Sequence, residues 1–235
     1  MVILGVLNPV GDIPKFLPTH KTQQVFVNEL TKSDKLKNIE YYNPYEYPEY
    51  ITVRVTGHKK CEKGLLYTVT EVPFKEYVKS VIMSEFGYQH WTYGANGERV
   101  ALVPHSEETL KAAAMVIKNY ALYQYENGGK WGGYEYGIVY DCDWDMVYNP
   151  NLTNPKTDKA VEDTWDYVVF DGKGEVKQTN FLALPVTCDW YFGVGQCLGA
   201  WQYGGIFQQG DRGWTMEEML YDAYHDIEIV KVNLK

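Results

Sequence analysis

The sequence is short of positive charge, and this shortage excludes one large class of partners. Its 22 Lys and Arg stand against 31 Asp and Glu, which gives a net charge of −9, and no run of basic residues occurs. Because affinity for nucleic acid depends on cations that neutralise phosphates, we expect no nucleic-acid partner. Long apolar runs are also lacking: no stretch approaches the roughly 20 residues that cross a bilayer, so we expect no membrane span in this chain.

Cysteine is scarce, and its spacing argues against a structural metal site. The four cysteines form no Cys-x-x-Cys pair, the spacing usual in four-ligand zinc sites. The glycine patterns that bind nucleotide phosphates are missing as well. We therefore expect neither a metal nor a cofactor. The even count permits disulfides, with Cys188 to Cys197 and Cys142 to Cys188 as candidate pairs, and Cys61 fits a free buried thiol equally well.

Aromatic residues, in contrast, are plentiful. They make up 15% of the chain, with 21 Tyr and 7 Trp. Tyr and Trp combine a flat apolar face with a hydrogen-bonding tip, and this combination suits polar ligands such as sugars. Structural β-proteins are rich in aromatic residues too, so the composition is compatible with either kind of protein.

The order of local patterns predicts an α+β fold. Prolines in the segment 43–48 exclude a regular helix there, so we expect residues 1–50 to form an extended N-terminal arm and residues 51–235 to form one domain. Two packed helices, at 73–86 and 107–125, are expected at its centre, with antiparallel strands beside them.

The remaining elements are predicted from shorter patterns. A glycine-rich aromatic loop is expected at 193–205, where glycine permits close approach of the backbone to a ligand. The other predicted elements are helices near 25–36, 158–164 and 215–224, strands at 51–55, 65–72, 136–140, 145–148, 181–187 and 227–232, a hairpin of 167–170 with 176–179, and a polar loop from 88 to 105.

The first central helix carries one acidic residue within its apolar side. At about 100° per residue, Phe74, Tyr77 and Val78 share an apolar stripe, and Glu85 falls near the middle of that stripe. A buried carboxyl group resists ionisation, so we expect burial to raise the pKa of Glu85, as general acid catalysis near neutral pH requires. The alternative is that Glu85 lies in the last turn and reaches solvent past Gly87.

Three blocks occur in the same order as in a known family. They are residues 72–85 (VPFKEYVKSVIMSE), 108–121 (ETLKAAAMVIKNYA) and 195–205 (GQCLGAWQYGG). They resemble the opening helix, the second helix and the glycine-rich loop of the stage II sporulation protein D family, a peptidoglycan lytic transglycosylase domain also found in an amidase-enhancer protein. Together with a weaker match at 145–148, the resemblance covers about residues 50–230. The chain departs from the family at Phe86-Gly87 for Met-Pro, Lys118-Asn119 for Arg-Thr, and Gln196 for histidine.

The resemblance implies a function and a site. It implies cleavage of peptidoglycan glycan strands between N-acetylmuramic acid and N-acetylglucosamine, at an extracellular or cell-wall location, with a cell-wall amidase as a further partner. It assigns the acid and base to Glu85, with Glu76 in reserve. Residues 1–10 are apolar but have no basic leader and no cleavage site, so we expect that they are not a signal peptide. The substrate-binding residues that it implies are Gln202, Tyr203, Gln196, Lys111, Tyr77 and Glu76.

Alternatives to this interpretation stay open. Glutamine cannot shuttle a proton, so Gln196 is compatible with an attenuated enzyme or with a non-catalytic module that binds wall glycan or activates an amidase. A structural protein of a phage or spore with a borrowed fold is a third possibility. Lys111 is also compatible with a solvated helix lysine, Gln202 and Tyr203 with a structural turn, and His105 with either a site residue or a solvated loop histidine.

Overall fold

The computed structural model describes residues 44–57, 66–93, 98–130, 137–142, 145–182, 200–201, 209–210 and 212–234. Helices and strands are both present in these residues, and the longer strand pairs are antiparallel, so the α+β prediction is confirmed. The helices are α1 (Phe74–Glu85), α2 (Glu107–Glu126), α3 (Pro155–Asp163) and α4 (Met216–Ala223). The strands are β1 (Pro44–Tyr45), β2 (Tyr50–Val55), β3 (Thr68–Pro73), β4 (Gln89–Tyr93), β5 (Arg99–Pro104), β6 (Val139–Tyr140), β7 (Tyr167–Asp171), β8 (Phe181–Leu182), β9 (Ala200–Trp201), β10 (Ile227–Lys231) and β11 (Asn233–Leu234).

The residues that flank helix α1 determine where it begins and ends. Pro73, the last residue of β3, stands at its N-cap, and its missing N–H is one that a first turn leaves unpaired in any case. At the other end, Gly87 adopts φ of 70°, and its N–H and that of Phe86 both donate to the carbonyl of Ile82. Glycine reaches this left-handed conformation without strain, so the helix stops directly after Glu85.

Helix α2 forms the centre of the molecule. Ser106 caps it by accepting the N–H of Thr109 at 3.1 Å, as the sequence indicates. The three alanines at 112–114 are buried, and α2 packs against both α1 and α3. Small side chains at these positions let neighbouring helices approach closely, so the predicted pair of packed central helices is confirmed.

The sheets are small and surround these helices. Strand β2 pairs antiparallel with β3 and parallel with β6, and β4 pairs with β5. Near the chain end, β7 pairs antiparallel with β10 along five residues from Tyr167 to Asp171. The short pairs β1 with β11 and β8 with β9 are parallel. No helix of the described ranges combines the length and the apolar character needed to cross a bilayer.

Some predicted elements differ from the structure. The prediction of a loop at 88–105 is wrong, because this segment contains the hairpin of β4 and β5. The described side chains of the hairpin are largely exposed, so they show no apolar alternation. The predicted strand at 145–148 is not a strand, and in the described part, 137–140, of the strand predicted at 136–140 only Val139–Tyr140 is one. The hairpin of 167–170 with 176–179 is reduced to a bridge between Phe170 and Val176, and β7 pairs instead along five residues with β10.

The extended arm is described only from residue 44 onward. There it lies on the domain, with Tyr47 packed against Phe74 and Trp165 at ring distances of 6.0 and 4.9 Å. The helix predicted near 25–36 and all but residues 200–201 of the loop predicted at 193–205 lie outside the described residues.

Candidate active site

Glu85 occupies the final position of α1, at the margin of the core. Its side chain is partly buried, and its Oε1 atom accepts the backbone N–H of Val147. This hydrogen bond ties the carboxylate to the irregular segment that follows β6. The end of α1 and one backbone amide therefore fix where the carboxylate lies.

A group of tyrosines and a second carboxyl group lies around Tyr77, about two turns before Glu85 on α1, and we call Tyr77, Tyr120, Tyr148 and Asp145 the tyrosine cluster. Tyr77 is fully buried and its ring stacks on that of Tyr148 at 5.6 Å. Among the described residues its hydroxyl has no hydrogen-bond partner. Burial raises the pKa of Tyr77 well above its ordinary value, and the nearby carboxyl groups of Asp145 and Glu85 act in the same direction.

Asp145 is held by two donors within the tyrosine cluster. The Tyr120 hydroxyl donates to its Oδ1 atom at 2.5 Å, and the backbone N–H of Tyr140 donates to its Oδ2 atom at 2.8 Å. Burial raises the pKa of Asp145 to about 6, although both hydrogen bonds oppose the rise. A second carboxyl group, with a pKa close to neutral pH, thus acts on the same tyrosine as Glu85 does. The sequence analysis matched its segment only weakly and gave it no role.

Two histidines pack just beyond the end of α1. The rings of His90 and His105 are stacked at 4.7 Å, and their Nδ1 atoms are 3.1 Å apart. His105 is only 6% exposed, so its interpretation as a solvated loop histidine is wrong. Burial, with His90 as a second cause, lowers the pKa of His105 to about 4, while the backbone of Phe86 acts in the opposite direction. This pair joins the base of the β4–β5 hairpin to the residue that follows Glu85.

Two of the predicted substrate-binding residues lie elsewhere. Glu76 stands on the polar side of α1 with a side chain 57% exposed, and Lys79 pairs with it at 3.2 Å. Lys111 is engaged with Glu108 at 2.7 Å, near the start of α2, rather than with Glu85. Tyr77, in contrast, is beside Glu85 but within the core. Gln196, Gln202 and Tyr203 lie outside the described residues.

Two buried polar residues of α2 bind backbone groups of other segments and were not predicted from the sequence. Lys118 is 1% exposed, and its ammonium group donates to the carbonyls of Thr164, Trp165 and Tyr167 beyond the end of α3. Burial lowers the pKa of Lys118 well below its ordinary value, and the carboxylate of Asp166 opposes this. Asn119 exchanges hydrogen bonds with the backbone of Val169 in β7. Their signal in the sequence was two polar residues inside an otherwise apolar helix.

The His, Cys, Asp and Glu side chains of the described residues bear on metal binding and on disulfide formation. No group of three or more His, Cys, Asp or Glu side chains able to hold a metal ion occurs within those residues. Cys142, directly after the buried Asp141, is disulfide-bonded, and its partner lies outside the described part of the chain. The disulfide does not decide between the two candidate pairs of the sequence analysis.

No protein-family model matches the chain, and no curated protein matches it.

Proposed function

We propose that this chain is a peptidoglycan lytic transglycosylase, with Glu85 as its acid and base, that cleaves between N-acetylmuramic acid and N-acetylglucosamine. The observation that carries the proposal is the position of Glu85. It is the last residue of α1, partly buried, and oriented by the N–H of Val147. An acidic group that is held in place at the boundary of core and solvent has the geometry that proton transfer to a bound substrate needs.

The proposed reaction uses one carboxyl group twice. In its protonated form Glu85 gives its proton to the glycosidic oxygen, and the bond from that oxygen to C1 of the muramic acid breaks. The resulting carboxylate then takes the proton of the C6 hydroxyl as O6 bonds to C1. The products are a free hydroxyl on one fragment and a 1,6-anhydro ring on the other, with no water consumed. This scheme needs a single acid and base, unlike the two carboxylates of most glycosidases.

The surroundings of Glu85 support the protonated starting state. The C-terminal end of a helix carries partial negative charge, which disfavours a carboxylate there. The backbone N–H of Val147 favours the carboxylate, which is the form that the second half of the reaction needs.

The disulfide at Cys142 supports a location outside the cytoplasm. Disulfides persist in oxidising compartments and are rare in reducing ones. We place the protein in an extracellular or cell-wall setting, where peptidoglycan strands are available as substrate and an amidase as a further partner.

Two glutamates of the same helix provide a matched test. Glu85→Gln keeps an oxygen that accepts the N–H of Val147 but removes the proton donor. We expect it to lower the rate of glycan cleavage by roughly 10²-fold or more, with little change in melting temperature. Glu76→Gln, on the exposed side of α1, should retain activity within about twofold. Equal activity of Glu85→Gln and the wild type would contradict the role of Glu85.

A non-catalytic function is the second candidate, and Gln196 favours it. Glutamine stands there where the resembled family has histidine, and glutamine binds by hydrogen bonds but does not transfer protons. In this case the chain would bind wall glycan, or activate an amidase, without turnover. Retained binding of glycan strands by wild-type protein that forms no products would favour this candidate.

A further inference from the structure

A cavity of about 440 Å³ lies at the opposite end of α1 from Glu85, between the helix start and the arm segment 45–49. We call it the arm cavity. Its volume falls in the range of small-molecule sites, roughly 300–1,000 Å³. Helix α1 has 12 residues, so at 1.5 Å per residue the cavity lies roughly 16 Å from Glu85 along the helix. The arm cavity is therefore separate from the candidate active site.

Aromatic rings form its inner wall in a fixed arrangement. Tyr47 and Trp165 are both partly exposed, and their ring centroids are 4.9 Å apart. The Tyr47 hydroxyl donates to the carbonyl of Trp165 at 2.6 Å, and the buried ring of Phe74 packs behind both. These contacts hold the rings in place without a ligand, so a ligand meets a preformed aromatic surface.

Charged groups of both signs line the rest of the arm cavity. Glu46 and Glu49 are exposed on the arm side. Lys75 faces them from α1, with its ammonium group 2.8 Å from Glu162 and 4.7 Å from the centroid of the Trp165 ring. The lining thus offers carboxylate acceptors and an ammonium donor around apolar rings.

This combination favours one class of ligand. Two carboxylates repel a phosphate or another anion, and Glu162 already balances the charge of Lys75. A purely apolar ligand would desolvate the charged rim without replacing its hydrogen bonds. A cationic amine would compete for the Trp165 ring with the ammonium groups of Lys75 and Lys118, which lie 4.7 and 5.5 Å from its centroid. A neutral sugar avoids each difficulty, because its C–H face packs on aromatic rings while its hydroxyls bond to carboxylates and to an ammonium group.

We propose that the arm cavity is a second saccharide-binding site. The choice of an N-acetylated glycan as its ligand rests on the proposed function, since a polymer cleaved at Glu85 is long enough to reach both ends of α1. In this arrangement the arm cavity binds a part of the strand that is distant from the cleaved bond. It contributes to affinity and takes no part in the reaction.

The test measures binding by nuclear magnetic resonance, with chitotetraose as the probe and Glu85→Gln as the background, so that cleavage does not interfere. The indole N–H signal of Trp165 is identified by its loss in Trp165→Phe. We expect this signal to shift on titration, and the double variant Glu46→Gln/Glu49→Gln to raise the apparent Kd about tenfold. The matched control is Glu175→Gln/Glu217→Gln, which removes two carboxylates that do not line the cavity and should leave the Kd unchanged.

The outcomes separate this inference from the proposed function. An unmoved Trp165 signal at millimolar chitotetraose, or equal Kd values for the rim and control double variants, would overturn the saccharide site whatever the protein does at Glu85. A response to tetramethylammonium chloride without a response to the sugar would overturn it in favour of a cation site. Rim-dependent sugar binding by a protein that never cleaves glycan would uphold the arm cavity and refute only the proposed reaction.

Discussion

At the scale of single residues, His105 is the side chain whose ionisation the fold changes most clearly within the acid range. It is buried against His90, and burial lowers its pKa to about 4 from an ordinary value of 6.5. The unfolded chain therefore binds a proton at His105 at a higher pH than the folded chain does. Stability from this residue is complete above pH 6.5 and is lost as the pH falls through 4.

We predict that His105→Gln flattens the acid side of the stability profile. The difference between the two pKa values corresponds to about 3 kcal/mol of unfolding free energy, which the wild type loses between these pH values and the variant does not. Urea unfolding at several pH values measures this slope. His225→Gln, at an exposed histidine, should keep the wild-type slope. A wild-type slope in His105→Gln would show that the protonation of His105 is not coupled to folding.

Single residues also show what the sequence could and could not predict about the site. The helical wheel placed Glu85 on the same side of α1 as Tyr77, and in the structure the carboxyl group of Glu85 acts on the Tyr77 hydroxyl. Both lie on one helix, so their spacing is local information. Asp145 reaches the same place from a distant and irregular segment. No periodic pattern marks such a segment, and its role was missed for that reason.

At the scale of elements, Lys118 joins two helices that adjoin the candidate site. Its ammonium group, on α2, donates to three carbonyls just beyond the end of α3. The carbonyls at the end of a helix have no partner within it, so an ammonium group that reaches them acts as a cap from outside. The buried position adds the rings of Tyr47 and Trp165 at 5.6 and 5.5 Å.

We predict that Lys118→Met destabilises the protein by about 3 kcal/mol, because methionine fills the space but makes none of the three hydrogen bonds of the ammonium group at this buried position. Urea unfolding at neutral pH measures the loss. Lys173→Met, at an exposed lysine in the turn after β7, should change stability by no more than about 0.5 kcal/mol. A Lys118→Met protein as stable as the wild type would mean that desolvation of the ammonium group cancels its hydrogen bonds.

Elements differed in how well the sequence predicted them. The starts of α2 and α4 were predictable because serine and threonine are typical capping residues. Ser106 and Thr215 each accept a hydrogen bond from the backbone N–H of the residue three positions later. The β4–β5 hairpin was not predictable, since its exposed side chains, such as those of Trp91 and Leu102, show no core-facing alternation. The pairing of β7 with β10 depends on residues about 60 positions apart, which no local pattern specifies.

At the scale of the whole molecule, α1 connects the candidate active site with the arm cavity. Its last residue is the candidate acid, and its first turn borders the arm cavity. The fold class could be predicted because two long helices and several short strands each carry their own pattern. The meeting of the arm with the start of α1 could not, since it depends on aromatic contacts between Tyr47, Phe74 and Trp165 that are distant in the sequence.

The most direct measurement for the central claim is the mass of the fragments that wild-type protein releases from purified, peptide-stripped glycan strands. A transglycosylase adds no water, so we predict fragments that end in 1,6-anhydro-muramic acid and whose masses sum to that of the uncut strand. Fragments heavier by one water and ending in a reducing sugar would contradict the proposed reaction. Intact strands after prolonged incubation would contradict cleavage of any kind.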